Sequence, residues 1–258
     1  MTPDKLPADV ALLLGRLRDL LMARGGLVGI YLYGSLVTGD FSPARSDIDV
    51  VVMLECDPDE TAVGGLEQLH AVLASSDDPA ARLHCLYVSA RDPADPARLR
   101  PYWYGHRMTR WQLKVLTQAE LAAAGMTLYG PWPPPGLGPV RAADLRAAVL
   151  EEITGYWARI AGQRRCWLSD TWVDLGLVTL PRAEAVLTTG DLITKTEAIR
   201  RLPAFGVPAT LADEIRRRRD GQDVTLSVPR KVRRARLARR IMRDGIRRLS
   251  RARPPLPS

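Results

Sequence analysis

The chain is poor in the residues that build disulfide frameworks and metal cages: three cysteines (Cys56, Cys85, Cys166) and three histidines (His70, His84, His106) in 258 residues. The cysteines lie far apart and show no CxxC spacing, which argues against both a disulfide-stapled scaffold and a zinc knuckle. Long hydrophobic runs are missing too, since no stretch approaches the roughly 20 apolar residues of a membrane span. Arg16, Arg18 and Asp19 interrupt the opening segment, so it lacks the apolar core of a signal peptide. These absences lead to the expectation of a cytoplasmic, monomeric protein with no membrane partner.

Aromatic residues are absent beyond Phe205, whereas positive charge is concentrated there. From Glu214 onward there are 16 basic and 4 acidic residues, leaving 21 of the 37 basic and 25 of the 29 acidic residues before that point. The net charge of +8 therefore belongs to the tail. Such a tail can contact nucleic acid or another polyanion. It can equally be the solvated face of an Arg-rich helix, and it offers no ring for a base to stack on.

Apolar spacing predicts an amphipathic helix over 9–24, a buried strand in LVGIYLYG, a second strand in DIDVVVML, a helix from Glu60 toward Asp78, and a third strand in RLHCLYVSA. Residues 92–101, punctuated by proline, read as a loop, and TRWQLKVLTQAELAAAG as a strand running into a helix. Pro131, Pro133, Pro134, Pro135 and Pro139 form so dense a cluster that a domain boundary is expected there. Beyond it the periodicity is helical over 141–162, 170–188, 195–201, 208–219 and 230–250. The expected organisation is an α/β (α+β) domain over 1–130, a linker over 131–139, and an all-α domain over 140–258 ending in the basic tail.

The stretch GSLVTGDFSPARSDIDVVV, Gly34 to Val52, carries the chemistry. A strand turns alternate side chains to opposite faces, so Asp47 and Asp49 project together while Ile48 and Val50 point the other way. Two carboxylates in one small site repel, and a divalent cation relieves that repulsion; Mg²⁺ takes carboxylates supplemented by water and substrate phosphates. The Gly34-Ser35 turn can bring backbone amides and a hydroxyl close to a phosphate chain. A lone DxD is common on half-exposed strands, but GS followed at this distance by SDIDVVV after a buried strand is far more specific.

This pattern resembles the DNA polymerase β-type nucleotidyltransferase superfamily, and more narrowly its streptomycin and spectinomycin adenylyltransferases. GMTLYGP and LPRAEAVLTTGDLITKTEAIRRLP extend the resemblance to roughly residues 27–205. It implies a nucleotidyltransferase domain with a small mixed sheet, followed by a helical domain, and ATP as the co-substrate. It further implies that Gly34, Ser35 and Ser46 hold phosphates, that Asp47 and Asp49 bind Mg²⁺, and that Lys195 reaches the phosphates from the helical domain. The expected reaction is AMP transfer to a hydroxyl of a small molecule, an aminoglycoside or aminocyclitol antibiotic.

The family carries a glutamate base on its third strand, and His84 stands at that position here. A neutral imidazole can serve as a general base near neutral pH. It can also ligate metal, or mark a site that has lost its reaction. Trp111 falls where the family has an acid, and Arg216 to Arg219 fall where it has an aromatic. Glu151, Glu152, Trp157, Asp170, Trp172, Asp174 and Glu184 are available to a cationic acceptor. Two further readings stay open: transfer to a protein or RNA docked on the basic tail, and a degenerate module that binds nucleotide without turnover.

Overall fold

The computed structural model describes residues 6–43, 45–74 and 78–251. The chain divides into two compact units, Met1–Val140 and Arg141–Ser258.

The first unit is built on one mixed sheet of six strands: β1 (Leu27–Tyr33), β2 (Ile48–Leu54), β3 (Leu83–Ser89), β4 (Leu99–Tyr104), β5 (Arg107–Gln112) and β6 (Met126–Tyr129). Their order is β5-β4-β3-β2-β1-β6, with β2 and β3 parallel and every other pair antiparallel. The parallel pair needs a crossover, which the helix α3 (Glu60–Ala74) supplies.

Strands β1, β2 and β3 read as almost unbroken apolar runs because both of their faces are covered. On one face α1 (Ala8–Arg24) and α3 bring Leu13, Leu14, Leu17, Leu66 and Leu69 onto Ile30, Leu32, Ile48, Val50 and Cys85. Each fully buried leucine there contributes roughly 1.5–3 kcal/mol. On the other face Tyr31, Val51, Met53, Leu86 and Val88 pack with Leu113, Leu137 and Leu121 of α4 (Val115–Ala124). Asp49 shares its strand parity with Val51 and Met53, so it emerges on this second face where the apolar cover ends.

Two strands differ from the sequence expectation. β4 occupies part of the segment read as a loop, and it accommodates Pro101 because β3 pairs with β4 only at Cys85–Trp103 and Leu86–Tyr102. The missing proline N–H therefore costs no bond on that side. β6 is a four-residue strand paired with the edge of β1, too short to show a period. The polar residues 75–77 that follow α3, and residues 252–258 of the basic tail, lie outside the described residues.

The second unit is helical: α5 (Ala142–Glu152), a π-helical turn (Ile153–Trp157), α6 (Ala158–Gly162), a 3₁₀ turn (Cys166–Leu168), α7 (Asp170–Thr188), α8 (Lys195–Arg201), α9 (Ala209–Arg219) and α10 (Val228–Arg251). The helix expected over 141–162 is thus interrupted by one π turn, which rotates the face presented by the residues after it. α10 buries Ala238, Ile241, Met242, Ile246 and Leu249 and turns most of its arginines outward. It lies close against α7, since a Cβ added to Gly245 would stand 2.6 Å from Cδ1 of Leu180.

The basic segment is not wholly a solvated face. Arg218 and Arg234 are buried, 8% and 6% exposed. Arg218 grips Asp174 with two hydrogen bonds, Nε to Oδ2 at 2.8 Å and Nη2 to Oδ1 at 2.6 Å, and Arg234 pairs with Asp170. Burial raises the Asp174 pKa above the ordinary carboxylate value, and the Arg218 guanidinium pulls it partly back. Two of the acids available to a cationic ligand are therefore engaged within the helical unit. Trp157, only 6% exposed, belongs to the core of this unit beside the fully buried Trp167.

Candidate active site

The site forms on the second face of the sheet, where β1 ends and β2 and β3 begin. β1 pairs Tyr33 with Asp49, and the parallel β2–β3 ladder pairs Asp49 with His84, so three polar side chains stand in a row across three strands. His84 lies between the two aspartates: its Nε2 is 3.5 Å from Asp47 Oδ1 and its Nδ1 is 3.6 Å from Asp49 Oδ1. Asp47 is the more open carboxylate at 44% exposure, against 24% for Asp49 and 14% for His84.

After β1 the chain turns at Gly34 with φ of +71°, a conformation that side-chain-bearing residues avoid. A Cβ at Gly34 would also stand 2.5 Å from Asp49 Oδ2. Two independent constraints thus require glycine, and both exist because the turn passes directly over the carboxylate. Ser35 opens the short helix α2 (Ser35–Thr38) and is half-buried.

The loop from α2 to β2 is pinned by Ser46. This residue is 5% exposed, its hydroxyl accepts the Ser42 N–H at 2.9 Å, and its carbonyl accepts from Arg82 Nη1 at 3.1 Å. The Arg82 guanidinium also stands 5.9 Å from the Phe41 ring centroid. The loop approaching Asp47 is therefore held from both ends.

Sequence reasoning passed over an aromatic wall beside His84. Tyr104 packs edge-on against the imidazole at 4.8 Å between centroids, Tyr102 does so at 6.0 Å, and Trp111 stacks on Tyr102 at 6.2 Å. Lys114 places its ammonium 5.5 Å from the Trp111 ring. Tyr102 and Tyr104 alternate on β4, so the only available signal was a strand that proline punctuation hid. Tyr33 was likewise read only as part of a buried strand. Burial, then the negative charge of Asp49, pushes the Tyr33 and Tyr102 hydroxyls well above the usual phenol range. Both hydroxyls therefore remain protonated.

Gly34, Ser35, Ser46, Asp47, Asp49 and His84 thus gather at one end of the first unit. Lys195 belongs to the second unit, where it is the first residue of α8; the Thr194 hydroxyl caps that helix by accepting the Glu197 N–H at 3.1 Å. Among the described residues no group of three or more His, Cys, Asp and Glu is arranged to hold a metal ion. The pair Asp47 and Asp49 nonetheless fits Mg²⁺, which binds through one or two carboxylates and completes its shell with water and phosphate oxygens. Among the described residues no helix is long and apolar enough to cross a membrane.

Residues 14–84 match the family model of the nucleotidyltransferase domain, a span that includes the Gly34 turn, both aspartates and His84. The spectinomycin adenyltransferase AAD(9) from Enterococcus faecialis, solved with ATP and spectinomycin, superposes with a TM-score of 0.67 at 14% identity, covering 90% of this chain and 98% of that one. A toxin-antitoxin structure with AMP-PNP covers 46% of this chain and 73% of that chain at 22% identity, but its TM-score of 0.28 carries no weight for the fold. No curated protein matches the sequence. The chain has an adenylyltransferase-like fold whose first unit contains a nucleotidyltransferase domain.

Proposed function

We propose that this chain, with its nucleotidyltransferase domain in an adenylyltransferase-like fold, transfers AMP from ATP to a hydroxyl of an aminoglycoside or aminocyclitol antibiotic. The observation that carries the reading is the convergence of Asp47, Asp49 and His84 beneath the Gly34 turn. The presence of ATP and spectinomycin in the AAD(9) structure supports the choice of both substrates.

In this reading Asp47 and Asp49 would hold Mg²⁺, which would offset negative charge on the nucleotide phosphates. The Gly34-Ser35 turn and Ser46 position those phosphates. The acceptor hydroxyl oxygen attacks the α-phosphorus as the bond to pyrophosphate breaks, and the hydroxyl proton passes to His84. Tyr102 and Tyr104 hold the imidazole edge-on, so it faces the carboxylates rather than rotating into solvent.

One observation favours a second reading, nucleotide binding without transfer. The imidazole approaches both carboxylates at nearly equal distance, where it competes with a cation for the same oxygens. Mass spectrometry of spectinomycin and streptomycin incubated with ATP, Mg²⁺ and each His84 variant separates the two. Transfer by the wild type that falls about 10²-fold or more in His84→Ala is expected for a general base. Absence of product from the wild type together with product from His84→Glu would replace the first reading by the second.

A further inference from the structure

We propose that the helical unit carries a binding site for single-stranded nucleic acid, in a groove between the Cys166–Leu168 turn and α10. A cavity of about 350 Å³ opens there, with Arg164, Arg165, Arg236 and Arg239 around it. Its apolar lining is Leu168, Val232 and Ala235, and no carboxylate lines it. That volume lies at the lower end of the range for small-ligand sites. Arg239 is fixed in place because its Nε donates to the Ala161 carbonyl at 2.8 Å.

Many arginines of the unit outside this groove are paired with carboxylates. Elsewhere in the unit Arg201 meets Glu197, Arg216 meets Asp213, Arg218 meets Asp174 and Arg248 meets Glu184. Among the described residues no carboxylate pairs with any of the four guanidiniums at the cavity, nor with Arg233, Arg240 or Arg243 farther round and along α10. At 3.6 residues per turn, Arg233, Arg236, Arg240 and Arg243 fall within an arc of about 80° and extend about 15 Å along the axis. Uncompensated charge laid out in this way calls for an extended anion.

Three features select a nucleic-acid strand. The helix cannot dock on a bilayer through its apolar side, because Ala238, Ile241, Met242, Ile246 and Leu249 are already buried within the unit. Guanidinium planes beside an apolar floor give a base a surface to rest on where no aromatic ring is at hand. The linear stripe matches a phosphate backbone, and arginine pairs with phosphate in a bidentate geometry. The strand would run along α10 and seat one nucleoside in the cavity. This site is independent of the transfer reaction proposed above.

The test is fluorescence anisotropy of the full-length protein with a labelled oligouridylate of about 12 nucleotides, a length within the usual span of single-strand sites. Binding should weaken with salt at a log–log slope of about −3, as expected for four phosphate contacts. The variant Arg164→Glu/Arg236→Glu/Arg243→Glu should lose at least about tenfold in affinity and flatten that slope. Arg200→Glu/Arg201→Glu/Arg216→Glu makes the same charge change at exposed residues of the helical unit that do not line the groove, and should bind as the wild type does. Circular dichroism melting of both variants establishes that each is folded. Equal losses in the two folded variants, no binding at low salt, or displacement of the oligonucleotide as readily by poly-glutamate as by unlabelled RNA would each overturn the proposal.

Discussion

Asp49 and His84 meet because β2 and β3 run parallel and in register, so neighbouring residues of equal parity share a face. The same alternation buries Cys85, whose thiol is pushed up to about 12 by burial, and so removes the nearest sulfur from the chemistry. His70 is a contrasting histidine. It is 1% exposed, stacks on Trp103 at 4.6 Å, exchanges a hydrogen bond with the Tyr87 hydroxyl at 2.7 Å, and is lowered by burial to about 3. The folded state holds this ring neutral, whereas the unfolded chain protonates it below about 6.5. Stability from His70 is therefore complete above about pH 6.5 and is lost as the pH falls toward 3, by up to roughly 1.4 kcal/mol per pH unit. His70→Phe keeps a ring against Trp103 and removes the titration. Its melting temperature should fall less between pH 7 and pH 5 than that of the wild type, and parallel declines would contradict this assignment.

The helices of the second unit are joined by buried charge as well as by apolar contact. Asp170 and Asp174 lie on α7, Arg218 on α9 and Arg234 on α10, so the Arg218–Asp174 and Arg234–Asp170 pairs link three helices. Removing one partner strands a charge in a dry environment, and Asp174→Ala should destabilise the protein by about 3–5 kcal/mol. Replacing both partners, Asp174→Leu with Arg218→Met, should recover most of that loss. Urea midpoints compare the two; a single variant costing less than about 1 kcal/mol would show that the pair is screened. These partnerships were not legible in the sequence, where Arg218 and Arg234 read like their exposed neighbours. The long helices and β1 to β3 were legible, because their apolar runs exceed what chance supplies. β4 and β6 were not, because one contains Pro101 and the other has only four residues. At the site, the Gly34 turn and the aspartate pair were visible as a spacing. The aromatic wall of Tyr102, Tyr104 and Trp111 depends on a strand pairing that no local pattern announces.

Charge is distributed unequally along the whole chain, with the acidic excess before Glu214 and the basic excess after it. A negative first part suits a cationic acceptor by attraction at long range. The basic segment is divided between buried ion pairs and the groove along α10. The carboxylates and His84 lie in the first unit and Lys195 in the second. The most direct measurement is pyrophosphate release from ATP by the full-length protein, with and without Mg²⁺, in the presence of spectinomycin, streptomycin or no acceptor. Release should require both Mg²⁺ and one of the antibiotics and should fall at least about 10²-fold in a folded Asp47→Asn variant. Release that persists unchanged in Asp47→Asn, or that ignores the acceptor, would contradict the proposed AMP transfer.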